Sequence, residues 1–475
     1  MTDLVITAST VITVDAERRV IDQGAVAITG DRVVAVGNAA DIVKAHPSAR
    51  RLDFPDGVVL PGLVDAHGHA GHSLIRTMAD DLATWMAACE AVYLHGAVPQ
   101  FWRADARLMA LERLLAGTTT SLSMLGGAGD TIRADDPAHG SAHLDGVAEI
   151  GVRSVMAVGP GAPPFPKTTT GPTGSLATTF DGQMEVVGEL VERYRDHPTS
   201  SVALTYPTLS MRDVTEPVDA ELVRGASAVR ELSDAADLLI VQDGHRADTV
   251  AASDRLGLLS ARSLFSHSID LEPGHIEALA NAGAAVAHNP SAIYSQFGRC
   301  PVPELLEAGV TVGLGSDATA PDRSVDMFRH MFQLTRYHRA DRRDPSLFPP
   351  GTTLELATIG SATALGLGDH LGSLEAGKLA DIVVVDAAKP HLTPLTHPVH
   401  QLVYFATGAD VDTVIVGGKV LMENRQVAHV EIPEVLSEAR DAQTAAFARV
   451  GIDPSPDREG MWGSVRYADG PGLDL

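Results

Sequence analysis

Eight short β-type runs, each followed by a helical pattern or a long connection, constrain this chain more than any other feature. The first spans Val58 to Val64; the others are Thr118 to Met124, Val152 to Val158, Val202 to Thr208, Leu238 to Gln242, Ser263 to His267, Ala284 to His288 and Val312 to Asp317. Helical patterns over 181–197, 218–236, 246–258, 273–282 and 302–308 separate the later runs, and Gly283 and Gly309 stand where helices end on a left-handed residue. Strands alternating with helices in this number predict an α/β fold, a (β/α)8 TIM-type barrel, over residues 57–371. Further β-type runs lie ahead of it (Leu4–Ile6, Val11–Val14, Gly24–Ile28, Arg32–Val36) and behind it (Ile382–Val385, Val411–Val416, Lys419–Met422). They predict a small β-sandwich domain built from both chain ends, 1–56 and 372–431, with a C-terminal helix and a Pro/Gly/Asp-rich tail over 432–475.

The chain of 475 residues holds a barrel of about 250 residues with room for that second domain. Apolar residues make up 45% of it and aromatic residues 4%, so the core is mainly aliphatic. Its 36 Lys and Arg against 61 Asp and Glu leave a net charge of −25, which argues against nucleic acid or an anionic membrane as partner. No run approaches the roughly 18–20 apolar residues of a membrane span, and the N-terminus lacks a basic region followed by an apolar one, so a cytoplasmic location is expected. With only Cys89 and Cys300, neither a disulfide framework nor a cysteine metal site is expected. Homo-oligomers are common among soluble enzymes of this size, and one is expected here.

A barrel gathers its chemistry at the C-terminal ends of its strands. There this chain carries His67 and His69, the run Gln242 to His245, His267, His288, and Asp317. His67 and His69 are separated by one glycine, so on an extended chain both imidazoles point to one side, as two ligands of a divalent metal do. The connection after His69 is long and runs through Trp85, Tyr93, Phe101 and Trp102. It reads either as an aromatic wall over a substrate or as a packed helical insertion. A second long segment, 159–179, is rich in Pro, Gly and Thr and is expected to be a loop beside the active site.

Several stretches together resemble the amidohydrolase superfamily, in particular its cytosine deaminase, guanine deaminase and triazine hydrolase branch. They are Leu60-Pro61-Gly62-Leu63-Val64-Asp65-Ala66-His67-Gly68-His69, His267, Pro301-Val302-Pro303-Glu304-Leu305-Leu306, Gly315-Ser316-Asp317 and Gly372-Ser373-Leu374-Glu375-Ala376-Gly377-Lys378-Leu379-Ala380-Asp381. The resemblance implies one divalent metal ion, zinc first and cobalt, iron or manganese as alternatives, held by His67, His69, a strand-five residue and Asp317. It also implies that His267 touches the nucleophilic water or the substrate and that Asp317 accepts the proton of that water. A cation brings the pKa of a bound water toward about 7, which agrees with that assignment. His72, Trp85 and His288 are the expected substrate contacts, the substrate being a small molecule.

Strand five departs from the resemblance. Deaminases of this family carry a histidine ligand there and a glutamate three residues on; here Gln242 stands at the first place and His245 at the second. Gln242 is therefore the expected fourth ligand and His245 an expected catalytic acid, while a second alignment makes His245 the ligand. Without the glutamate, hydrolysis of a urea, carbamate or amide C–N bond bearing an apolar or aromatic group is the first expectation, with phenylurea and thiocarbamate hydrolases the suspected kin. The alternative is an aminohydrolase or chlorohydrolase acting on a purine, pyrimidine or s-triazine ring. A barrel that binds a small molecule without catalysis is the competing class, and four polar groups retained at strand ends speak against it.

Overall fold

The computed structural model describes residues 2–78, 82–127, 131–172 and 174–453. Strands β1 (Leu4–Ile12), β2 (Val20–Thr29), β3 (Arg32–Asn38) and β4 (Arg50–Pro61) open the chain. At its other end β15 (Ile382–Asp386), β16 (Val411–Val416), β17 (Lys419–Glu423) and β18 (Gln426–Val427) join them in one eight-stranded sheet, with β4 pairing both β1 and β15.

Between these ends lie the eight parallel strands of the barrel. They are β5 (Leu63–Asp65), β6 (Thr118–Met124), β7 (Arg153–Val158), β10 (Ser200–Thr205), β11 (Ile240–Gln242), β12 (Ser263–Ser266), β13 (Ala285–His288) and β14 (Thr311–Leu314). Ala66 N–H donates to Leu314 O at 3.0 Å and Asp317 N–H to His67 O at 2.9 Å, which joins the last strand to the first. Side chains alternate along each strand. Val64, Leu122, Met124, Val155, Ala157, Ala203, Val241, Leu264, Ala285 and Ala287 fill the barrel, whereas Leu63, Phe265, Val286 and Val312 pack outward under the helices.

Two expectations change. The run Val58 to Val64 is two strands rather than one: Val58–Pro61 belongs to the terminal sheet, and only Leu63–Asp65 enters the barrel. The break falls at Gly62, where a Cβ would stand 2.1 Å from Thr119 Oγ1, so only glycine lets the chain cross from one sheet to the other. The segment 159–179 is also more ordered than a loop, since β8 (Lys167–Gly171) and β9 (Gly174–Thr178) form an antiparallel hairpin within it.

The helix Pro99–Leu115 sends Arg113 beneath β5, where its guanidinium meets Asp65 Oδ2 at 2.8 Å with both side chains fully buried. The same carboxylate accepts from Ser316 N–H (2.8 Å) and Ser316 Oγ–H (2.6 Å), so this ion pair fixes the turn that carries Asp317. Arg113→Met leaves Asp65 buried without its cation, and breaking such a pair costs about 3–5 kcal/mol. Urea denaturation is expected to show that loss, with part of it recovered in Arg113→Met/Asp65→Asn; an unchanged midpoint in the single variant would mean that the pair does not hold the fold.

The helix Ile432–Val450 closes over the segment between β5 and β6. Its Gln443 donates to Leu74 O (2.7 Å) and Arg449 to Gly96 O (2.9 Å), tying the chain's end to the aromatic cover of the barrel mouth. The tail from 454 onward lies outside the described residues. Among the described residues no helix is long and apolar enough to cross a membrane.

Candidate metal centre

Six polar side chains converge at the C-terminal mouth of the barrel: His67, His69, Asp243, His245, His267 and Asp317. His67 Nε2 lies 3.6 Å from both Asp243 Oδ1 and Asp317 Oδ1; His69 Nε2 lies 3.2 Å from Asp317 Oδ1 and 3.9 Å from Asp243 Oδ2. His267 Nε2 approaches Asp243 Oδ1 at 3.3 Å, and His245 Nε2 approaches Asp243 Oδ2 at 3.0 Å. All but His245 are almost fully buried. Two of these groups sit on left-handed backbone, His267 at φ 58° and Asp317 at φ 55°, and so do the residues that follow them, Ser268 and Ala318. Such conformations cost about 1–3 kcal/mol each and are kept where they aim side chains that function requires.

The donor set fits a divalent cation. Neither ring nitrogen of His67 has a hydrogen-bond partner among the described residues, although the side chain is fully buried. His69 Nδ1–H donates to Gly126 O at 2.8 Å, which turns the lone pair of Nε2 toward the carboxylates, as a second layer around a metal does. Burial favours the neutral form of both carboxyls. For Asp243 it is outweighed by His245, His267 and His69, and for Asp317 by Arg323, His267, His67 and His69, so both stay ionised well below the usual carboxylate range. Burial pushes His267 down to about 4 despite both aspartates; it is neutral, with Asn289 Nδ2 at 3.3 Å from its Nδ1. Two imidazoles and two carboxylates around one point make a hard, neutralising set for zinc or a similar ion.

Strand five places Asp243, the neighbour of Gln242, against the cluster. Gln242 is the expected ligand, yet its amide nitrogen donates to Tyr206 O (3.2 Å), and Asp243 reaches the cluster in its place. The reason is the two-residue period of a strand: Val241 faces the barrel interior, so Asp243 shares that side and Gln242 takes the other. Ser266 Oγ–H then fixes Asp243 Oδ1 at 2.8 Å. His245 lies on the same side as Asp243 and also lines a cavity of about 420 Å³ with Thr208, Ser210, Asp213, Asp248 and Phe297.

The expected substrate contacts divide. His72 stacks on His69 with ring centroids 4.6 Å apart, and its Nδ1 meets Tyr93 Oη at 2.7 Å. Burial first, then His69 and Arg323, hold its imidazole neutral. Trp85 stands behind it, edge to face at 5.0 Å, one ring removed from the cluster. His288 points away: its Nε2 lies 3.2 Å from His338 Nε2, and the ring packs against Tyr337 in the helix Met327–Arg342. The alternation that sends Ala285 and Ala287 inward sends His288 outward. Asp243 and Arg323 have no role forecast from the sequence. For Asp243 the signal was present, in the parity it shares with Val241.

A family model described as the amidohydrolase family matches residues 58–162 and 231–421, and one described as an imidazolonepropionase-like composite domain of bacteria matches 24–49. A 5-methylthioadenosine/S-adenosylhomocysteine deaminase of Syntrophobacter fumaroxidans is 32% identical over 445 residues, which are 92% of this chain and 97% of that one. The crystal structure of an adenosine deaminase from Xanthomonas campestris with bound zinc superposes with a TM-score of 0.81 at 28% identity, covering 94% of this chain and 99% of that one. The zinc complex of an atrazine chlorohydrolase from Arthrobacter aurescens gives 0.77 at 23% identity, with 93% and 100% covered, and shows the shared fold alone.

Proposed function

The chain belongs to the amidohydrolase family, and from that premise we propose that it is an aminohydrolase, one that removes an exocyclic amino group from a nitrogen heterocycle. It is a hydrolase of C–N bonds other than peptide bonds, acts on a small molecule, and uses a divalent metal ion, zinc in the two solved relatives. The observation that carries the finer reading is His245, whose Nε2 is 3.0 Å from Asp243 and which borders the cavity. A proton carrier thus stands three residues beyond Gln242, where the resemblance calls for glutamate. Loss of that glutamate favoured a urea, carbamate or amide substrate, with phenylurea and thiocarbamate hydrolases as kin. Relatives named as adenine-nucleoside deaminases over nearly the whole chain weigh more and favour the ring reading.

When bound by His67, His69, Asp243 and Asp317, the cation supplies Lewis-acid activation of water. Asp317 is ionised and takes the proton that water loses as its oxygen attacks the amino-bearing carbon. His267, neutral and anchored between Asp243 and Asn289, orients that oxygen. His245 protonates the neighbouring ring nitrogen, and the proton held by Asp317 passes to the amine. The new hydroxyl returns its proton to His245 as the C–N bond breaks, leaving ammonia and an oxo ring. His72, Tyr93 and Trp85 close the site against water.

The test is product analysis with zinc-loaded protein offered 5′-deoxyadenosine, methylthioadenosine, a chlorotriazine and a phenylurea. Ammonia release with the ultraviolet shift of an oxo ring is expected. Aniline from the phenylurea, with every ring untouched, would return the function to urea hydrolysis.

A further inference from the structure

Arg323 follows Asp317 by six residues and is not part of the metal-holding set. Its side chain is 3% exposed; one guanidinium nitrogen lies 3.2 Å from Asp317 Oδ2 and donates to Asp317 O at 3.0 Å. The other two, Nε and Nη1, are buried, and neither has a hydrogen-bond partner among the described residues. Buried N–H groups without a partner are costly, and more so on a charged group. Arg323 belongs to a turn that meets the cover of the site, since Thr77 N–H donates to Pro321 O at 2.9 Å. Its charge is felt there, where after burial and His69 it helps to keep His72 neutral.

Charge points the same way. A divalent cation cancels Asp243 and Asp317, the neighbouring Asp65 is paired with Arg113, and Asp105 is engaged by the Gly71 and Ser73 amides. Among the described residues, Arg323 is then the cation beside the reacting centre whose carboxylate neighbour, Asp317, is shared with the metal ion. The planar fork of an arginine suits an oxygen acceptor, and suits an anionic one best.

We infer that Arg323 recognises an oxygen acceptor on the substrate, a ring oxo group or a ring carboxylate, borne close to the carbon that loses its amine. The inference rests on the ring aminohydrolase reading and deepens it: among aminated rings, those bearing such an oxygen are preferred. Closeness follows from geometry, since a guanidinium in contact with Asp317 cannot reach the far end of a long substituent while the reacting carbon sits at the same carboxylate.

The test measures affinities by calorimetry on zinc-loaded wild type and Arg323→Met, with metal content assayed in both. Two probe pairs differ in the oxygen group: guanine against 2-aminopurine, and 4-aminopyrimidine-5-carboxylate against 4-aminopyrimidine. Wild type is expected to prefer the oxygen-bearing member of at least one pair by roughly 10- to 100-fold, the size of one charge-assisted hydrogen bond, and Arg323→Met to lose most of that ratio. The pair that responds tells an oxo group from a carboxylate. No preference in wild type, equal weakening of both members in the variant, or loss of metal from the variant overturns the inference, the last two leaving Arg323 as a residue that positions Asp317. Ring turnover without such a preference removes this inference and leaves the aminohydrolase reading in place. The preference without turnover of any ring does the reverse.

Discussion

Asp243→Asn is expected to purify folded and without its metal, while Gln242→Ala keeps one metal per chain. The two residues are adjacent, yet it is the carboxylate of Asp243 that reaches His67, His69, His245 and His267, while the Gln242 amide nitrogen donates to Tyr206 O. Asparagine preserves the size and removes the charge, so a cation would face one anion in place of two. Losing even an outer partner of a metal ligand costs about 10- to 100-fold in metal affinity, and losing a charged inner one is expected to cost more. Elemental analysis of the dialysed proteins reads the outcome directly, and hydrolytic activity should fall with metal content. Metal retained in Asp243→Asn and lost in Gln242→Ala would restore Gln242 as the ligand.

The contrast between these neighbours marks where the sequence could be read and where it could not. Period and spacing were enough for the eight barrel strands and for His67, His69, His267 and Asp317 at their ends, because each sits where a run of buried aliphatics stops. They did not settle the parity of a three-residue strand, and a slip of one residue exchanges the face of every side chain. His288 shows the same limit from the other side: it ends a strand, but its parity turns it toward His338. The split at Gly62 was hidden because two strands of different sheets meet end to end in one apolar run. The hairpin of β8 and β9 was hidden because its strands are largely exposed and carry no alternation of polar and apolar residues. Arg323 stayed invisible because a buried arginine is recognised by what surrounds it, and those neighbours come from distant stretches of the chain.

His245→Ala is expected to keep its metal and to lose roughly 10²- to 10⁴-fold in kcat on an aminated ring, the usual worth of a positioned proton donor. The metal should stay because the imidazole meets Asp243 and the His267 ring, and the groups proposed to hold the cation have other contacts: His69 with Gly126, Asp243 with Ser266, Asp317 with Arg323. The loss should depend on the leaving group. An amine departs only after the ring nitrogen and the amine itself have gained protons, whereas chloride departs without one, so a chlorinated ring should suffer less from the same substitution. His245→Glu puts a carboxyl where the family resemblance expects one, and it should recover part of the activity on the aminated ring that alanine removes. Single-turnover rates on an amino and a chloro analogue of one ring decide the matter. Equal losses on both, or metal lost along with the imidazole, would show that His245 serves the cation rather than the proton, and the assignment of strand five would move two residues further along the chain.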